Sequence, residues 1–516
     1  MFFPNRPPFK FVLFLSALIL FGCGGNDKVM PRPTPVVPPP DNPSVVKIPD
    51  GVWEQIGFGR AINVTGESID LYDFTRQTCL LVSNTTQEEF ANTLTIDSID
   101  AEAFVATEEE DVVKIVYSAR AAIPAVCLDE RLITENGPVS TFEHTIHNFN
   151  DYYPFFELRG ILDWDERTEN ARAQVNSETT NEELLNTLIA LISDLGDGHV
   201  SLSAGDDFEF VPLNQNGKIE DVLVSGFQNQ SEFTDFGEYV NAQFQRILDI
   251  RDSYFDPSSL ERAGGENQDI FQWATIGNGV VGYLEINSMG GISEVSEEND
   301  FAASEDLMDR VLTALAHTEA LIINVSVNGG GDLAITDAIA SRFSTEKVTV
   351  SSYEAIGYDD SNTPQRSPRV SRELTPTERI SYSRPIATIS GPNTYSAAEH
   401  FLLTMRALKH PVCFIGERSD GILSAPLDKQ LPTEGARLGL SNLFIYDHTG
   451  QAFEALGVPV DIESTTFEVV DSNSDRNQAI DAALIALGFG SLVNSDITAA
   501  DCAFEDARVR FETSAP

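Results

Sequence analysis

Basic residues are scarce in this sequence of 516 residues. Its 33 lysines and arginines stand against 80 aspartates and glutamates, which gives a formal net charge of −47. A surface this acidic repels phosphate backbones, so the sequence predicts no nucleic-acid partner. High net charge also keeps a protein soluble, and we interpret the acidity as a solubility feature of an exported protein.

Metal-ligand patterns are missing as well. The chain has five cysteines, with no closely spaced pair among them, and no HExxH sequence occurs. His144 and His147, beside Glu143, could ligate a metal from one face of a helix, but no other motif supports them. The sequence therefore predicts neither a metal nor another cofactor.

Nucleotide-binding loops are also missing. No Walker A sequence is present, and the literal GxGxxG match at Gly277–Gly282 runs into the β-rich segment Val280–Ile286. A dinucleotide-binding fingerprint has to open a helix whose N-terminus receives the pyrophosphate. The pair Asn278-Gly279 instead predicts the turn of a β-hairpin.

The apolar run near the N-terminus, Phe11–Phe21, is too short to span a membrane. It follows Arg6 and Lys10 and ends in Gly22-Cys23, which resembles a bacterial lipobox. We therefore predict a lipoprotein signal peptide over residues 1–23, with lipid on Cys23, and plain secretion as the alternative. The expected location is the bacterial cell envelope, on the outer membrane, facing the periplasm or the surface, where the N-terminal lipid contacts the membrane.

The four remaining cysteines allow two disulfides in an oxidising compartment. Three connectivities exist, and we expect sequence neighbours to pair, Cys79 with Cys127 and Cys413 with Cys502. Four buried free thiols are the alternative.

Sequence patterns divide the rest of the chain into five parts. Residues 24–50 are a proline-rich linker. Residues 51–135 alternate apolar and polar positions, which predicts a small antiparallel β domain, a sandwich or barrel with an accessory role. Residues 136–205 have helical periodicity, residues 206–490 alternate strands and helices around a largely parallel sheet, and residues 491–516 form a C-terminal tail.

Two features of the α/β part could carry chemistry. Three glycines, Gly329–Gly331, follow the apolar strand segment Ala320–Val325; such a turn can present amides to an oxyanion, or it can be glycine-rich for steric reasons alone. Ser396 lies between a buried strand and a helical run, where a serine is either a nucleophile or an ordinary helix N-cap.

A serine nucleophile needs a base, and two histidines compete for that role. His400 lies four residues further along the same helix, on the same face as Ser396. His199 ends a separate segment behind two glycines, in a loop that could reach over the sheet. Local spacing does not choose between them.

Taken together, these residues resemble the serine peptidases that comprise the tail-specific (C-terminal processing) proteases and their tricorn-type and retinoid-binding-protein-like branch. The resemblance covers about 138–465. It rests on seven short motifs in the order of that family: Asp163-Trp164-Asp165, Leu195–His199, Gly282–Ile286, Asn328–Gly331, Ser396–Glu399, Gly416-Glu417 and Gly457–Asp461.

The resemblance implies a ClpP/crotonase-like α/β core and hydrolysis of peptide bonds in a peptide or protein substrate. In the processing proteases the base is a lysine in a Gly-Lys-Gly turn, but here that turn reads Asp420–Leu423 without a lysine. The chain is thus similar to the tricorn branch, which implies Ser396 as nucleophile and His199 as base.

The same resemblance implies roles for five further residues. Gly330, Gly331 and Ala397 would supply the oxyanion hole. Glu454 would orient the base, and Glu399 would brace the nucleophile helix.

Two departures keep an alternative function open. Asn324 and Ser326 stand where the family usually has an aspartate and an arginine, which favours a catalytically inactive peptidase-like binding lipoprotein as the second hypothesis. No PDZ-like module is evident, so recognition of protein C-termini is not implied. An esterase is a weaker third hypothesis, since no GxSxG elbow occurs.

Overall fold

The computed structural model describes residues 47–108, 112–205, 208–212, 218–265, 269–293, 299–359, 361–470 and 476–493. The predicted signal peptide, Cys23, Cys502 and most of the predicted linker and tail lie outside these residues. Within them, no helix combines the length and apolarity that crossing a membrane requires.

The N-terminal part is one antiparallel sheet of seven strands in the order β4-β3-β2-β1-β7-β6-β5. One face buries aromatic side chains, with Phe104 stacked on Tyr117 at 4.4 Å between ring centres. The predicted antiparallel β domain is confirmed, but the described strands form a single open sheet and not a sandwich or barrel. The strand bounds are Gly51–Gln55 (β1), Arg60–Thr65 (β2), Ser68–Phe74 (β3), Cys79–Thr86 (β4), Leu94–Ile99 (β5), Ala103–Glu108 (β6) and Lys114–Arg120 (β7).

A disulfide ties the edge of this sheet to the segment that leaves it. Cys79, the first residue of β4, is bonded to Cys127 in a 3₁₀ turn at Ala125–Leu128. Cys413 is also disulfide-bonded, and its expected partner Cys502 lies outside the described residues. Two short helices flank the sheet, Gln87–Ala91 (α1) and Glu130–Thr134 (α2).

The helical segment predicted after the sheet consists of three helices. Phe142, Ile146 and Phe149 lie on one face of the first helix and are fully buried against the second and third. Pro at the first position starts the first helix, and a capping box at Thr180 starts the third. The helices are Pro138–Tyr152 (α3), Trp164–Arg172 (α4) and Asn181–Ile192 (α5).

The α/β core is a second seven-stranded sheet in the order β10-β11-β12-β13-β17-β18-β22. The strands from β12 to β22 pair in parallel, and β10 and β11 add an antiparallel edge. Asn278, with φ 61°, lies in the predicted hairpin turn between β11 and β12. The bounds are Glu261–Ala263 (β10), Phe271–Ile276 (β11), Val281–Ile286 (β12), Ala320–Asn324 (β13), Ile386–Ser390 (β17), Val412–Gly416 (β18) and Ile462–Glu463 (β22).

Helices cover both faces of this sheet, so the core has three layers, as the predicted fold class requires. Three helices pack on one face, and a single apolar helix packs on the other. The first three are Asp300–Ala314 (α8), Leu333–Ser341 (α9) and Ala397–Ala407 (α10), and the last is Gln478–Ala486 (α11). Two more helices precede the sheet in the chain, Lys218–Gln228 (α6) and Phe236–Asp252 (α7).

Two small sheets complete the described structure. One contains β15, β14 and β16, with β21 added to β14, and the other has the order β19-β20-β8-β9. Strand β8 begins two residues after His199, so the second small sheet supports the histidine loop. The bounds are Ser201–Ala204 (β8), Glu209–Phe210 (β9), Val348–Tyr358 (β14), Pro364–Arg366 (β15), Val370–Leu374 (β16), Pro426–Gln430 (β19), Ala436–Ser441 (β20) and Leu443–Asp447 (β21).

Buried polar contacts join the N-terminal sheet to this small sheet. The ammonium of Lys429 on β19 donates to the carbonyl of Gly59 at 2.8 Å and contacts Asp73 Oδ1 at 3.1 Å. The Lys429 and Asp73 side chains are both 0% exposed. Asn442, between β20 and β21, donates to the carbonyl of Gly57 at 3.0 Å. The N-terminal sheet is thus packed directly against the support of the histidine loop.

Candidate active site

Ser396 occupies the turn between β17 and α10, at the N-cap of the helix. Its backbone has φ 58° and ψ −128°, a region that residues other than glycine rarely adopt. The turn is held in this shape by Thr394, whose hydroxyl donates to the carbonyl of Val325 at 2.7 Å, and by the Ser396 amide, which donates to the carbonyl of Ile422 at 3.0 Å. The hydroxyl therefore lies at a helix N-terminus, where negative charge is stabilised.

His199 is brought to this serine by the loop between α5 and β8. Its Nε2 lies 3.0 Å from Ser396 Oγ, although 197 positions separate the two residues in the chain. Asp197, which is fully buried, fixes the loop by accepting a hydrogen bond from the His199 amide at 3.1 Å. The structure thus brings together the two residues that the family resemblance paired.

The surroundings of His199 favour the neutral imidazole. Burial lowers the pKa of His199 below its usual 6.5, and the negative charge of Asp197 opposes that effect without cancelling it. The backbone of Ser424 approaches the ring and also raises the pKa, but Nδ1 has no hydrogen bond of normal geometry to any described residue. At neutral pH, Nε2 can therefore accept a proton from Ser396.

His400, the competing histidine, is a structural residue. Its Nε2 donates to the carbonyl of Leu423 at 2.9 Å. Burial lowers the pKa of His400 to about 3, so its ring is neutral at physiological pH. Its ring is committed to the wall of the site instead of to the nucleophile.

The oxyanion hole differs from the expected one at Gly330. The Gly330 amide donates to the side-chain oxygen of Asn328 at 2.8 Å, because that side chain folds back on its own turn. This amide is therefore not available to a substrate. The amides of Gly331 and Ala397 donate no hydrogen bond to any other described residue. They are the two members of the predicted set that remain open to an oxyanion.

Gly330 has a steric role instead. Its φ is 93°, and a Cβ atom added there would lie 2.7 Å from the Cβ of Ser396 and 3.0 Å from the Ala397 amide nitrogen. Only glycine lets the turn approach the nucleophile this closely.

Glu454 does not contact His199, contrary to the expectation of a direct orienting contact. One of its carboxylate oxygens accepts from Arg159 Nη2 at 2.7 Å, and the other accepts from the amides of Leu423 and Ser424 at 2.9 and 2.8 Å. Burial raises the pKa of Glu454, and the nearby charge of Asp197 raises it further. Glu454 therefore reaches the base indirectly, through the Ser424 backbone and through Arg159.

Glu399 braces the nucleophile turn, as the family resemblance implied. It is fully buried and accepts hydrogen bonds from the Ser419 hydroxyl at 2.5 Å and from the amides of Gly421 and Ile422 at 2.9 and 2.8 Å. The Ser396 amide also points to it, at 3.3 Å. Burial raises the pKa of Glu399 to about 7.

Sequence reasoning missed Arg159, which contacts Asp197 and Glu454 together. The residue lies in the turn between α3 and α4, 295 positions before Glu454. No spacing rule connects positions so far apart, so the sequence contained no usable signal.

The remaining predicted site residues lie elsewhere. Asn324 donates to the hydroxyl of Tyr283 at 2.9 Å and to Glu285 at 3.2 Å, and its own side-chain oxygen accepts from the Ser326 amide. His147 is 3.5 Å from Glu143, and His144 is buried with its pKa lowered to about 4 by burial. No group of histidines, cysteines and carboxylates suited to a metal is formed by the described residues.

Ser396 thus lies at a helix tip, within hydrogen-bond reach of a neutral histidine and beside two open amides. On a three-layer α/β fold, this arrangement is that of the serine hydrolase class. Residues 280–464 match the model of peptidase family S41. The matched segment covers strands β12 to β22 of the α/β core and contains Ser396 and Glu454, and it confirms the resemblance to this family of serine peptidases.

Three solved structures are among those to which the chain is similar. A putative peptidase from Parabacteroides merdae has a TM-score of 0.51 and 22% identity, covering 68% of this chain and 97% of that one. Mature CPAF has a TM-score of 0.45 and 13% identity, covering 70% and 99%. The photosystem II D1 C-terminal processing protease has a TM-score of 0.36 and 10% identity, covering 66% and 93%. No curated protein matches the sequence significantly.

Proposed function

We propose that this protein is a serine peptidase that hydrolyses peptide bonds through an acyl-enzyme on Ser396, with His199 as general base. The observation that carries the proposal is the 3.0 Å contact between His199 Nε2 and Ser396 Oγ. That distance lies within the range that proton transfer between a nucleophile and its base requires.

In the acylation step, Ser396 Oγ attacks the carbonyl carbon of the peptide bond while its proton moves to His199 Nε2. The carbonyl oxygen becomes an oxyanion, which the amides of Gly331 and Ala397 and the N-terminus of α10 stabilise. Collapse of the tetrahedral intermediate breaks the C–N bond, and His199 returns the proton to the leaving amine.

In the deacylation step, water takes the place of the amine. His199 accepts a proton from that water, whose oxygen attacks the acyl carbon, and the C–O bond to Ser396 breaks as the proton returns to Oγ. The products are a carboxylic acid and the free enzyme, so the cycle needs no co-reactant.

Glu454 tunes the base indirectly in this scheme. It fixes the amides of Leu423 and Ser424, and the Ser424 backbone lies beside the imidazole. A fixed backbone there keeps the ring in the orientation that presents Nε2 to the serine.

Asn324 and Ser326 are the features that favour the alternative, a binding lipoprotein without activity. Neither residue hydrogen-bonds to Ser396 or His199 in the part of the chain that the structure describes. The neutral pair can therefore replace the family's aspartate and arginine without touching the nucleophile or the base, so we keep the peptidase as the proposed function.

Fluorophosphonate labelling tests the proposal. The wild-type protein should be tagged at Ser396, and Ser396→Ala and His199→Ala should both lose the tag. Two exposed residues give matched controls, Ser253→Ala and His448→Ala, which should label like the wild type. A folded wild-type protein that stays unlabelled would instead support the binding protein.

A peptide-library digest separates a peptidase from an esterase. Wild-type protein should release cleaved peptides in amounts that Ser396→Ala does not, and mass spectrometry should detect an acyl adduct on Ser396. Hydrolysis of simple esters with intact peptides would contradict the peptidase and leave an esterase.

The proposed location is the cell envelope, with lipid on Cys23. The Cys79–Cys127 disulfide supports it, since disulfides persist in oxidising compartments. When the full chain is expressed in a bacterium with radiolabelled palmitate, the wild type should incorporate label and enter the detergent phase, whereas Cys23→Ala should do neither. Equal labelling of both would contradict the anchor.

A further inference from the structure

We propose that Arg159 is a positioning residue of the active site, which holds the loop of His199 against the turn that supports Ser396. The proposal rests on the proposed function, because positioning matters only if these two residues react. It assigns a role to a side chain that belongs to none of the sequence motifs and touches neither reacting group.

On the histidine side, Arg159 contacts two consecutive residues of the loop. Its Nη1 donates to the carbonyl of Gly196 at 2.6 Å, and its Nε lies 3.2 Å from Asp197 Oδ2. The other oxygen of Asp197 accepts from the His199 amide at 3.1 Å. The guanidinium is therefore linked to the base through one residue.

On the serine side, the same guanidinium contacts Glu454 and Gly421, which lie beside the turn of Ser396. Its Nη2 donates to Glu454 Oε1 at 2.7 Å and to the carbonyl of Gly421 at 3.3 Å. The next residue, Ile422, accepts the hydrogen bond from the Ser396 amide. Arg159 thus joins the chain segment that carries His199 to the segment whose Ile422 carbonyl holds the Ser396 amide.

Burial makes this bridge strong and specific. The side chains of Arg159, Asp197 and Glu454 are 6%, 0% and 2% exposed. Two carboxyl groups share one guanidinium, so removal of Arg159 would leave both of them buried without the cation that they share. A planar fork of donors suits this double contact, and a lysine ammonium does not reproduce it.

The charge of Arg159 also reaches His199. Besides burial, three groups act on the pKa of His199: Asp197 and the Ser424 backbone raise this pKa, and Arg159 lowers it. His400 is the other ionisable ring beside His199. Arg159 itself is faced by Asp197, Glu454 and the hydroxyl of Tyr153. Loss of its positive charge should therefore raise the pKa of His199.

The experiment compares Arg159→Gln and Arg159→Lys with a matched control, Arg251→Gln. Arg251 forms a similar buried ion pair, 2.7 Å from Glu285, with side chains 5% and 8% exposed, outside the active site. Each variant is prepared as the full chain, and its thermal midpoint is measured first. Fluorophosphonate labelling rates are then recorded against pH well below the lowest midpoint.

We expect Arg159→Gln to slow labelling on the order of a hundredfold, since small displacements of reacting groups have effects of that size. Its acid limb should also move to higher pH. Arg159→Lys should keep the acid limb in place and recover part of the rate. Arg251→Gln should lose stability but keep both the labelling rate and the acid limb.

A folded Arg159→Gln that labels at the wild-type rate with an unshifted acid limb would overturn the proposal. If the wild type does not label at all, the proposed function fails, and an NMR titration of the His199 ring decides the present inference separately. In that titration, Arg159→Gln should raise the pKa of His199 and Arg251→Gln should leave it unchanged. The same pKa in all three proteins would overturn the positioning role.

Discussion

At the scale of single residues, two unfavourable backbone conformations lie in the active site. Five residues other than glycine have positive φ in the described chain, and two of them, Ser396 and Ala455, belong to the nucleophile turn and the wall around Glu454. Such conformations cost about 1–3 kcal/mol each and persist only where the surroundings enforce them. Here the hydrogen bonds of Thr394 and Glu399 provide that enforcement at Ser396.

The pH dependence of labelling follows from the burial of His199. Only the neutral imidazole accepts a proton, and burial lowers the pKa below 6.5, so the neutral form already dominates at pH 6.5. The labelling rate should therefore exceed half of its plateau value at pH 6.5 and reach the half-maximal value only at lower pH. If the labelling rate reached half of its plateau value only above pH 6.5, while the circular dichroism stayed unchanged, this explanation would be contradicted.

Gly330→Ala should abolish labelling without unfolding the protein. The new methyl group would lie 2.7 Å from the Cβ of Ser396, so the nucleophile or the turn has to move. Gly450→Ala is the matched control, because Gly450 has φ 89° and no atom within 4 Å of the added Cβ. Both variants carry the same backbone strain of about 1 kcal/mol or more, so only a steric effect on Ser396 distinguishes their labelling rates.

At the scale of elements, short sequence patterns predicted the turns and helices that depend on neighbouring residues. The hairpin turn at Asn278 and the helix that begins after Ser396 were predicted from short patterns, and both are present. Alternation showed that the N-terminal strands have one apolar face, but it contains no information on what covers that face. That is why the predicted sandwich or barrel was wrong and a single sheet was found.

The Cys79–Cys127 disulfide should stabilise the N-terminal sheet. It closes a segment of 48 residues between the edge strand β4 and the chain that leaves the sheet. The double variant Cys79→Ala with Cys127→Ala should lose about 2–4 kcal/mol of unfolding free energy, measured by urea denaturation. An unchanged urea midpoint would contradict this prediction, because it would show that the disulfide does not restrict the unfolded chain.

At the scale of the whole molecule, the N-terminal sheet shares buried contacts with the small sheet that supports the histidine loop. Lys429 is fully buried, and burial lowers its pKa to about 8 while Asp73 acts in the opposite direction. Strand β19, which carries Lys429, belongs to the same small sheet as β8, directly after His199. Loss of the contact between the sheets should therefore affect the site as well as stability.

Lys429→Met should cost about 1–3 kcal/mol, because it removes the donor of the buried Gly59 carbonyl and one of the two cations that contact Asp73, while Arg60 stays 2.9 Å from Asp73 Oδ1. Lys114→Met is the control, since Lys114 lies 3.6 Å from Asp97 with both side chains partly exposed, and such pairs contribute about 1 kcal/mol or less. Both proteins should unfold in one transition. Separate unfolding of the N-terminal sheet, with labelling of Ser396 intact, would contradict this coupling.

The sequence by itself determined the α/β class, the glycine turn, the serine at a helix start and two candidate bases, because each depends on periodicity or on residues within one turn of chain. The tertiary structure decided which histidine meets Ser396, since 197 positions separate them and spacing along a chain does not define a distance in space. It also showed that Asn328 occupies the Gly330 amide and that Arg159 joins Asp197 to Glu454. The contacts of His199 and Arg159 form only when segments far apart in the sequence are packed together and excluded from water, whereas the Asn328 contact is local to its own turn.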